Sequence, residues 1–424
     1  MVRYPTPPVR RATERLRISF FTQWWPPEPA NVVASLATEL SRRGHDLSVV
    51  TGFPNYPSGH LYAGYRMRLR QVEQSARVRT TRVPLFPSHD RSSTRRVANY
   101  LTFAAAASTV GLASVGKSDV AYVYHPPITS AWPARIQGIL RKVPFVLHVQ
   151  DLWPESVVQS GMVGSTARTE FVERALNRAC SAAYRSASHI IVISEGFKRI
   201  LVDRGVPQHK VSVVHNWADE SVFGVHDADP RARAELGPPN ARIVLYAGNL
   251  GDYQGLDQVV NAAGRFRGRL HLTLIGEGIA RQRLERLIEE RRIENVAMLP
   301  RRPAADMPRL LAAADVHLVS LADQPFFAAT IPGKTQVALA SGKPLIIGVR
   351  GDAAKLTADA DAGFACSPTA EGFSEAFEAM LGLSSGDLRD RGLSGRTYYE
   401  DHLAMRHGGD AFERILHNVA ARIR

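Results

Sequence analysis

The sequence predicts an α/β protein built from two doubly wound parallel-sheet domains. Three observations predict it. The chain has 424 residues, more than a single hydrophobic core ordinarily organises, so two domains are expected. Short apolar runs of strand length alternate with longer helical patterns, the order that produces parallel sheets. That alternation stops near Asp219–Pro239, a stretch of Asp, Pro, Gly and Arg without apolar period, and then starts again.

The first half opens with residues 17–22 as a buried strand. A helical pattern follows from Val32 to Arg43, ended by Gly44, and then a strand over Asp46–Thr51. This βαβ unit sets a parallel sheet. Further strands are expected at Val120–Tyr124, Phe145–Gln150, Ile190–Ile193 and Val211–His215. Between them, residues 98–115 form a small-residue apolar run. It is interrupted by Asn99, Thr102, Ser108, Thr109 and Ser114, so it reads as a buried amphipathic helix and not as a membrane span. The second half supplies strands at Ile243–Ala247, Leu270–Ile275, Ala297–Leu299, Val316–Ser320 and Pro344–Gly348. Residues 1–16 are rich in Arg and Pro and lack an apolar core, which fits a disordered basic leader and not a secretory signal. The expected domains are 17–218 and 219–400, with 401–424 as a helix crossing back to the first.

With 45% hydrophobic and 22% charged residues, the composition is that of a globular chain and excludes intrinsic disorder. Two distant cysteines, Cys180 and Cys366, exclude a disulfide framework and fit a reducing, cytoplasmic compartment. A net charge of +13 suits a polyanionic partner such as a nucleoside diphosphate or an anionic membrane surface. Nucleic acid is not expected, because no dense basic stripe with interleaved aromatics occurs and no DNA- or RNA-binding motif is present.

Ligands of doubly wound sheets bind at the carboxyl ends of the strands, so the residues that follow each strand are the candidates. Thr330-Ile331-Pro332-Gly333-Lys334 is the most informative. Pro332 at a helix start and Gly342 past its end define a short helix. Lys334 in its first turn opposes the helix dipole, unless an anion is held there by the exposed amides and the ammonium together; otherwise it is a solvated lysine. The turn Gly248-Asn249-Leu250-Gly251-Asp252-Tyr253-Gln254-Gly255 would let backbone approach a pyrophosphate. It lacks the G-x-G-x-x-G spacing of a nicotinamide site. Gly276-Glu277-Gly278 and Leu299-Pro300-Arg301 end the next strands in a similar way.

In the first half, Trp24 to Asn31 and Phe53 to Tyr56 are stiff polar-aromatic loops that either line an acceptor site or close a core. His148, Asp151 and Glu155 place an imidazole and two carboxylates near one strand exit, suited to acid–base work or to holding sugar hydroxyls. Glu155, directly after Pro154, is equally readable as a first-turn acid stabilising a helix start.

Taken together, these motifs resemble glycosyltransferase family 4, retaining enzymes of the GT-B fold, with the nearest likeness to the bacterial branch of fucosamine- and colanic-acid-type transferases of polysaccharide assembly. The resemblance is carried by Pro26-Pro27-Glu28, Arg43-Gly44-His45, Phe53 to Pro57, Asp151 to Glu155, Gly248 to Gly251, Gln254-Gly255-Leu256, Gly276 to Gly278, Ile331 to Lys334 and Ala340 to Pro344. It runs from about Leu16 to Glu400.

The resemblance implies a nucleotide-sugar donor, UDP- or GDP-linked, held mainly by the C-terminal domain in an interdomain cleft. Gly248, Asn249, Gly251 and Gln254, with Gly276 and Glu277, would face the diphosphate. Leu299 and Arg301 would cradle the base. Thr330, Ile331, Pro332 and Gly333 would complete the phosphate site with Lys334. His148 would meet the donor sugar, with Asp151 and Lys334 beside it in catalysis. The acceptor would enter near Trp24, Glu28, Asn31, Asn55, Tyr56 and Glu155. It would be a lipid-linked glycan, met peripherally at the inner membrane face, or a small natural-product precursor of an antibiotic-type pathway. No cofactor and no metal are implied, because helix ends and cations stabilise the leaving diphosphate. Retention through front-face attack requires no carboxylate nucleophile.

Two departures stand out. The family's pair of glutamates around this loop is replaced by Ala329 and Val337, and its basic pair in the first C-domain turn by Asn249 and Gln254. Losing a ribose-binding carboxylate weakens nucleotide binding by roughly 1–3 kcal/mol unless it is replaced. A catalytically silent sugar-nucleotide-binding subunit therefore stays open as an alternative, and so does a nucleotide-sugar epimerase.

Overall fold

A computed structural model describes residues 14–88, 93–155 and 167–422. Most of the expected leader, residues 1–13, lies outside them. One sheet contains β1 (Arg17–Phe21), β2 (Asp46–Gly52), β3 (Gln71–Ser75), β4 (Val78–Val83), β5 (Val120–His125), β6 (Phe145–Val149), β7 (His189–Val192) and β8 (Val211–Val213), in the order β3-β4-β2-β1-β5-β6-β7-β8. The other contains β9 (Arg242–Ala247), β10 (Leu270–Ile275), β11 (Val296–Leu299), β12 (Val316–Ser320), β13 (Leu345–Gly348) and β14 (Gly363–Ala365), in the order β11-β10-β9-β12-β13-β14. β1 pairs in parallel with β2 and β5, and β9 with β10 and β12; β3 runs antiparallel to β4. The chain forms two compact units. The first runs to Ile191 and takes in the segment from Phe412, and the second is Val192–Ala411.

The central strands are apolar on both faces because helices cover both sides of a parallel sheet. Ile18, Phe20 and Phe21 of β1, and Val120 to Val123 of β5, are fully buried. The helix Asn31–Arg42 turns Val33, Leu36, Ala37 and Leu40 inward at helical spacing and stops at Gly44, whose φ of +100° suits glycine. In the second unit, β9, β10 and β12 share a core with the helices Leu256–Ala263 and Ala370–Leu381, where Phe373 and Phe377 are buried. No described helix is long and apolar enough to cross a membrane.

Four elements are absent from the sequence reading. β3 and β4 form a charged hairpin, turned at Ala76 with φ +48°, in which the buried Arg82 is held by Glu73 at 2.7 Å. β14 is only three residues long. The stretch expected to be an aperiodic linker contains the helix Pro230–Leu236, whose start is capped by Asp229 accepting from the Arg231 amide.

The last helix, Met405–Ala421, brings Phe412 into the first unit. There Phe412 is fully buried against His148, with ring centroids 4.9 Å apart.

Candidate functional site

The second unit gathers its glycine turns at the carboxyl ends of β9, β10 and β11. Gly248 donates to the Ile275 carbonyl at 2.8 Å, Leu250 to Glu277 O at 2.9 Å, and Gly276 to Leu299 O at 3.2 Å. This packing leaves no room for a side chain. A Cβ on Gly276, at φ +154°, would stand 1.8 Å from the Gly248 oxygen, and one on Gly278 2.3 Å from Leu250 O. The 248–251 turn is stiffened from within. Tyr246 Oη donates to Asn249 O at 2.7 Å, and Gln254 Oε1 accepts from the Gly251 amide at 3.0 Å.

Lys334 rises into this corner from the first turn of the helix Gly333–Ala340. Its Nζ lies 4.9 Å from the centre of the Tyr246 ring, and a Cβ on Gly248 would come within 2.8 Å of it. Among the described residues no carboxylate pairs with this ammonium. Burial lowers its pKa from 10.5 to about 8. An uncompensated cation in a shielded place, beside glycine amides and a helix start, is a ready site for an anion.

Of the remaining donor candidates, Thr330 and Pro332 are half-buried, Ile331 is buried and Gly333 is exposed at the same helix start. Arg301 is exposed. Leu299 lies in an apolar cluster with Phe223, Ala247, Met307 and Val337. The Val337 position is therefore apolar in its surroundings as well as in its side chain. Glu277 points outward and pairs with Arg281 at 3.4 Å. Gln254 spends its carbonyl on the turn, which it stiffens from within.

In the first unit the structure corrects several expectations. His148 is fully buried. Its Nδ1 is 2.7 Å from Tyr122 Oη and its Nε2 2.7 Å from the Gln150 amide, so both nitrogens are engaged inside the fold. Desolvation lowers its pKa to about 3, and its Nε2 contact orients Gln150. Glu28 is buried with one oxygen accepting from the Trp25 amide at 3.1 Å and the other from Asn55 and Tyr56, each at 2.8 Å. It ties the two aromatic loops together, and both its oxygens are engaged by backbone amides. Asn55 is buried as well, donating to Phe53 O at 3.0 Å and accepting from Asn99 at 3.3 Å.

The half-buried Trp24 and Tyr56 do stack, with centroids 5.0 Å apart. Asn31 is exposed at its helix start and Glu155 is half-buried. Asp151 has an exposed surface, yet protein atoms crowd round its carboxyl at longer range. That enclosure raises its pKa to about 6.

The residue that sequence reasoning missed is His125, at the end of β5. It is fully buried, packs edge-on to Trp153 with centroids 5.6 Å apart, and neither ring nitrogen has a hydrogen-bond partner among the described residues. Burial lowers its pKa to about 3, so the ring is neutral. The signal was available: His125 is the last residue of β5, directly before Pro126-Pro127, at a carboxyl strand end of the kind where ligands of such sheets bind.

Among the described residues, one group of side chains has the proximity of a metal site: His45, Glu413 and His417. Its hydrogen bonds argue against ligation. His45 Nδ1 accepts from the Leu16 amide at 3.1 Å, so Nε2 carries the proton and donates to Glu413 at 3.0 Å. Glu413 also receives Arg43 at 2.7 Å. The group clamps the last helix to the first unit.

Two doubly wound sheets, the second with glycine turns and Lys334 at its strand ends, have the architecture of the GT-B class of glycosyltransferases. The family model described as Glycosyl transferase 4-like domain matches residues 29–217, and that described as Glycosyl transferases group 1 matches residues 229–391. Over 290 residues the chain is 30% identical to the putative colanic acid biosynthesis glycosyl transferase WcaI of Escherichia coli (strain K12), which covers 66% of this chain and 70% of that protein. The chain belongs to glycosyltransferase family 4. The fold is shared with sucrose-phosphate synthase (tll1590) from Thermosynechococcus elongatus, at TM-score 0.70 and 17% identity over 96% of this chain and 100% of that one. It is also shared with Anabaena Alr3699/HepE in complex with UDP-glucose, at TM-score 0.68 and 15% identity over 95% and 99%.

Proposed function

We propose that this glycosyltransferase moves a sugar, with retention, from a UDP- or GDP-linked donor to a lipid-linked glycan acceptor. The observation that carries the donor half is Lys334, a shielded ammonium without a carboxylate partner, aimed at the Gly248 turn. The diphosphate lies against that turn and the start of the helix Gly333–Ala340, and the base side meets Leu299 and Arg301. Because the ammonium and amides supply the positive charge, the leaving group needs no metal.

On the first unit, His125, an unsatisfied neutral imidazole, and Asp151 are the groups suited to handling sugar hydroxyls and protons. The bond from the anomeric carbon to the diphosphate oxygen breaks. The bond to the acceptor oxygen forms on the same face, and the acceptor proton passes to the departing diphosphate. The relative's name, colanic acid biosynthesis glycosyl transferase, supports a polysaccharide precursor as the acceptor; to this we add a lipid carrier for it, met at the cytoplasmic face of the membrane.

The test is incubation with UDP-, GDP- and dTDP-sugars and a polyprenyl-diphosphate-linked sugar, with and without EDTA. Nucleoside diphosphate and an α- or β-configured product matching the donor are expected, at rates unchanged by the chelator. Nucleotide binding without turnover for any acceptor makes the protein a silent subunit. An inverted product removes retention, and inhibition by EDTA removes metal independence.

A further inference from the structure

We propose that the first unit carries a docking face for an anionic lipid bilayer, formed by the loop 66–70 and the end of the helix Ala131–Arg141. The loop reads Arg66-Met67-Arg68-Leu69-Arg70, and all five residues are exposed. Met67 is 38% and Leu69 71% exposed. The helix ends on Ile139 and Leu140, each 70% exposed, followed by the exposed cations Arg141 and Lys142.

The two segments meet on the stretch 112–115. Arg70 donates to Ser114 Oγ at 3.5 Å, and Arg141 donates to Leu112 O at 3.0 Å and Val115 O at 2.7 Å. Lys117, also exposed, follows directly. Large aliphatic side chains and cations are thus interleaved on one surface.

Acids are missing from it. Residues 61–72 contain none. Between residues 91 and 150 the one acid is Asp119, already paired with Arg17 at 2.6 Å. This charge pattern selects the occupant. A second copy of the chain would bring the same positive face to a two-fold contact and be repelled. An anionic bilayer answers both features, taking the aliphatic groups at the level of the headgroups and setting lipid phosphates and carboxylates against the cations.

Docking of this kind would bring the protein to a lipid-linked acceptor, and that is its link to the function proposed above. It does not rest on transfer itself. Vesicle binding needs no donor, so its failure would leave the transferase assignment standing, and a failure of transfer would leave docking standing.

The experiment is flotation of the full chain with phosphatidylcholine vesicles, with and without phosphatidylserine. Binding to the phosphatidylserine vesicles alone, reversed by salt, is expected. Leu69→Glu with Leu140→Glu should weaken it at least about tenfold, and Arg66→Gln and Arg68→Gln by roughly fivefold each. The melting temperature and the thermal shift with UDP or GDP should be unchanged in these variants. Equal binding to neutral vesicles, no binding to anionic ones, or parent-like binding by the leucine variants overturns the proposal. So does light scattering that shows a dimer dissolved by Leu69→Glu with Leu140→Glu, which would make a second copy the occupant.

Discussion

Lys334→Met separates what the ammonium does to the fold from what it does for a phosphate. Burial lowers this amine from 10.5 to about 8. The unfolded chain therefore binds the proton more tightly than the folded one between those values. The unfavourable contribution is fully present below pH 8, fades as pH rises, and is gone above 10.5. At neutral pH the shift corresponds to about 3 kcal/mol, an upper bound because the half-buried side chain keeps some solvent. Methionine preserves the volume of the stem without the charge. The ligand-free variant should thus be the more stable protein by up to about 3 kcal/mol, a rise in melting temperature of roughly 6 °C. That gain should shrink as pH is raised past 8.

The same change should remove most of the stabilisation that a nucleoside diphosphate gives the parent. Differential scanning fluorimetry across this pH range, with and without UDP or GDP, reads both effects. Calorimetry of the parent near pH 8, in two buffers of different ionisation enthalpy, should show proton uptake on binding, because an anion restores the amine to its charged form. A variant less stable than the parent at neutral pH, or one stabilised equally by the diphosphate, refutes the placement of a strained cation in an anion site.

Gly276→Ala sets a Cβ 1.8 Å from the Gly248 oxygen at a φ of +154°. It should cost more than about 3 kcal/mol in urea unfolding and abolish diphosphate binding; an unchanged midpoint would show that the two turns do not approach so closely. His125→Phe removes an imidazole with neither nitrogen satisfied, so stability should hold or rise by about 1–2 kcal/mol while turnover falls at least about 100-fold. A parent-like rate in that variant takes His125 out of the site. Asp151, raised to about 6, should take up a proton as pH falls through that value. The parent's kcat/KM should then drop on the acid side with a midpoint near 6, and Asp151→Asn should be slow and lack that limb. The folded state holds the extra proton between 3.8 and about 6, so stability should decline as pH rises through this window in the parent and not in the variant.

The buried strands were legible because a parallel sheet covered on both faces demands continuous apolar runs, and Ile18 to Phe21, Val120 to Val123 and Ile243 to Tyr246 are such runs. The hairpin β3–β4 was not, because Arg82 is buried only by virtue of Glu73 on the opposite strand, and no local pattern announces that partner. The corner formed by the glycine turns and Lys334 was legible for a related reason. Its signals are backbone signals, proline at a helix start, a lysine in the wrong place for the dipole and glycines at strand ends, and each acts within a few residues of itself.

Side-chain availability is different in kind. His125 ends β5 and His148 lies one residue from the end of β6, and both rings are fully buried and neutral. Yet Tyr122 and Gln150 occupy both nitrogens of the first, with Phe412 from the far end of the chain packed on its ring, while the second has none of its nitrogens engaged. Glu28 is likewise engaged by neighbours in the fold, its oxygens accepting from the amides of Trp25, Asn55 and Tyr56. Motif position brings a polar group to the right end of the right strand. Whether the group is free to do chemistry is decided by neighbours remote in sequence, so of two equally placed histidines, the one the fold leaves unsatisfied is the better candidate for contact with a ligand.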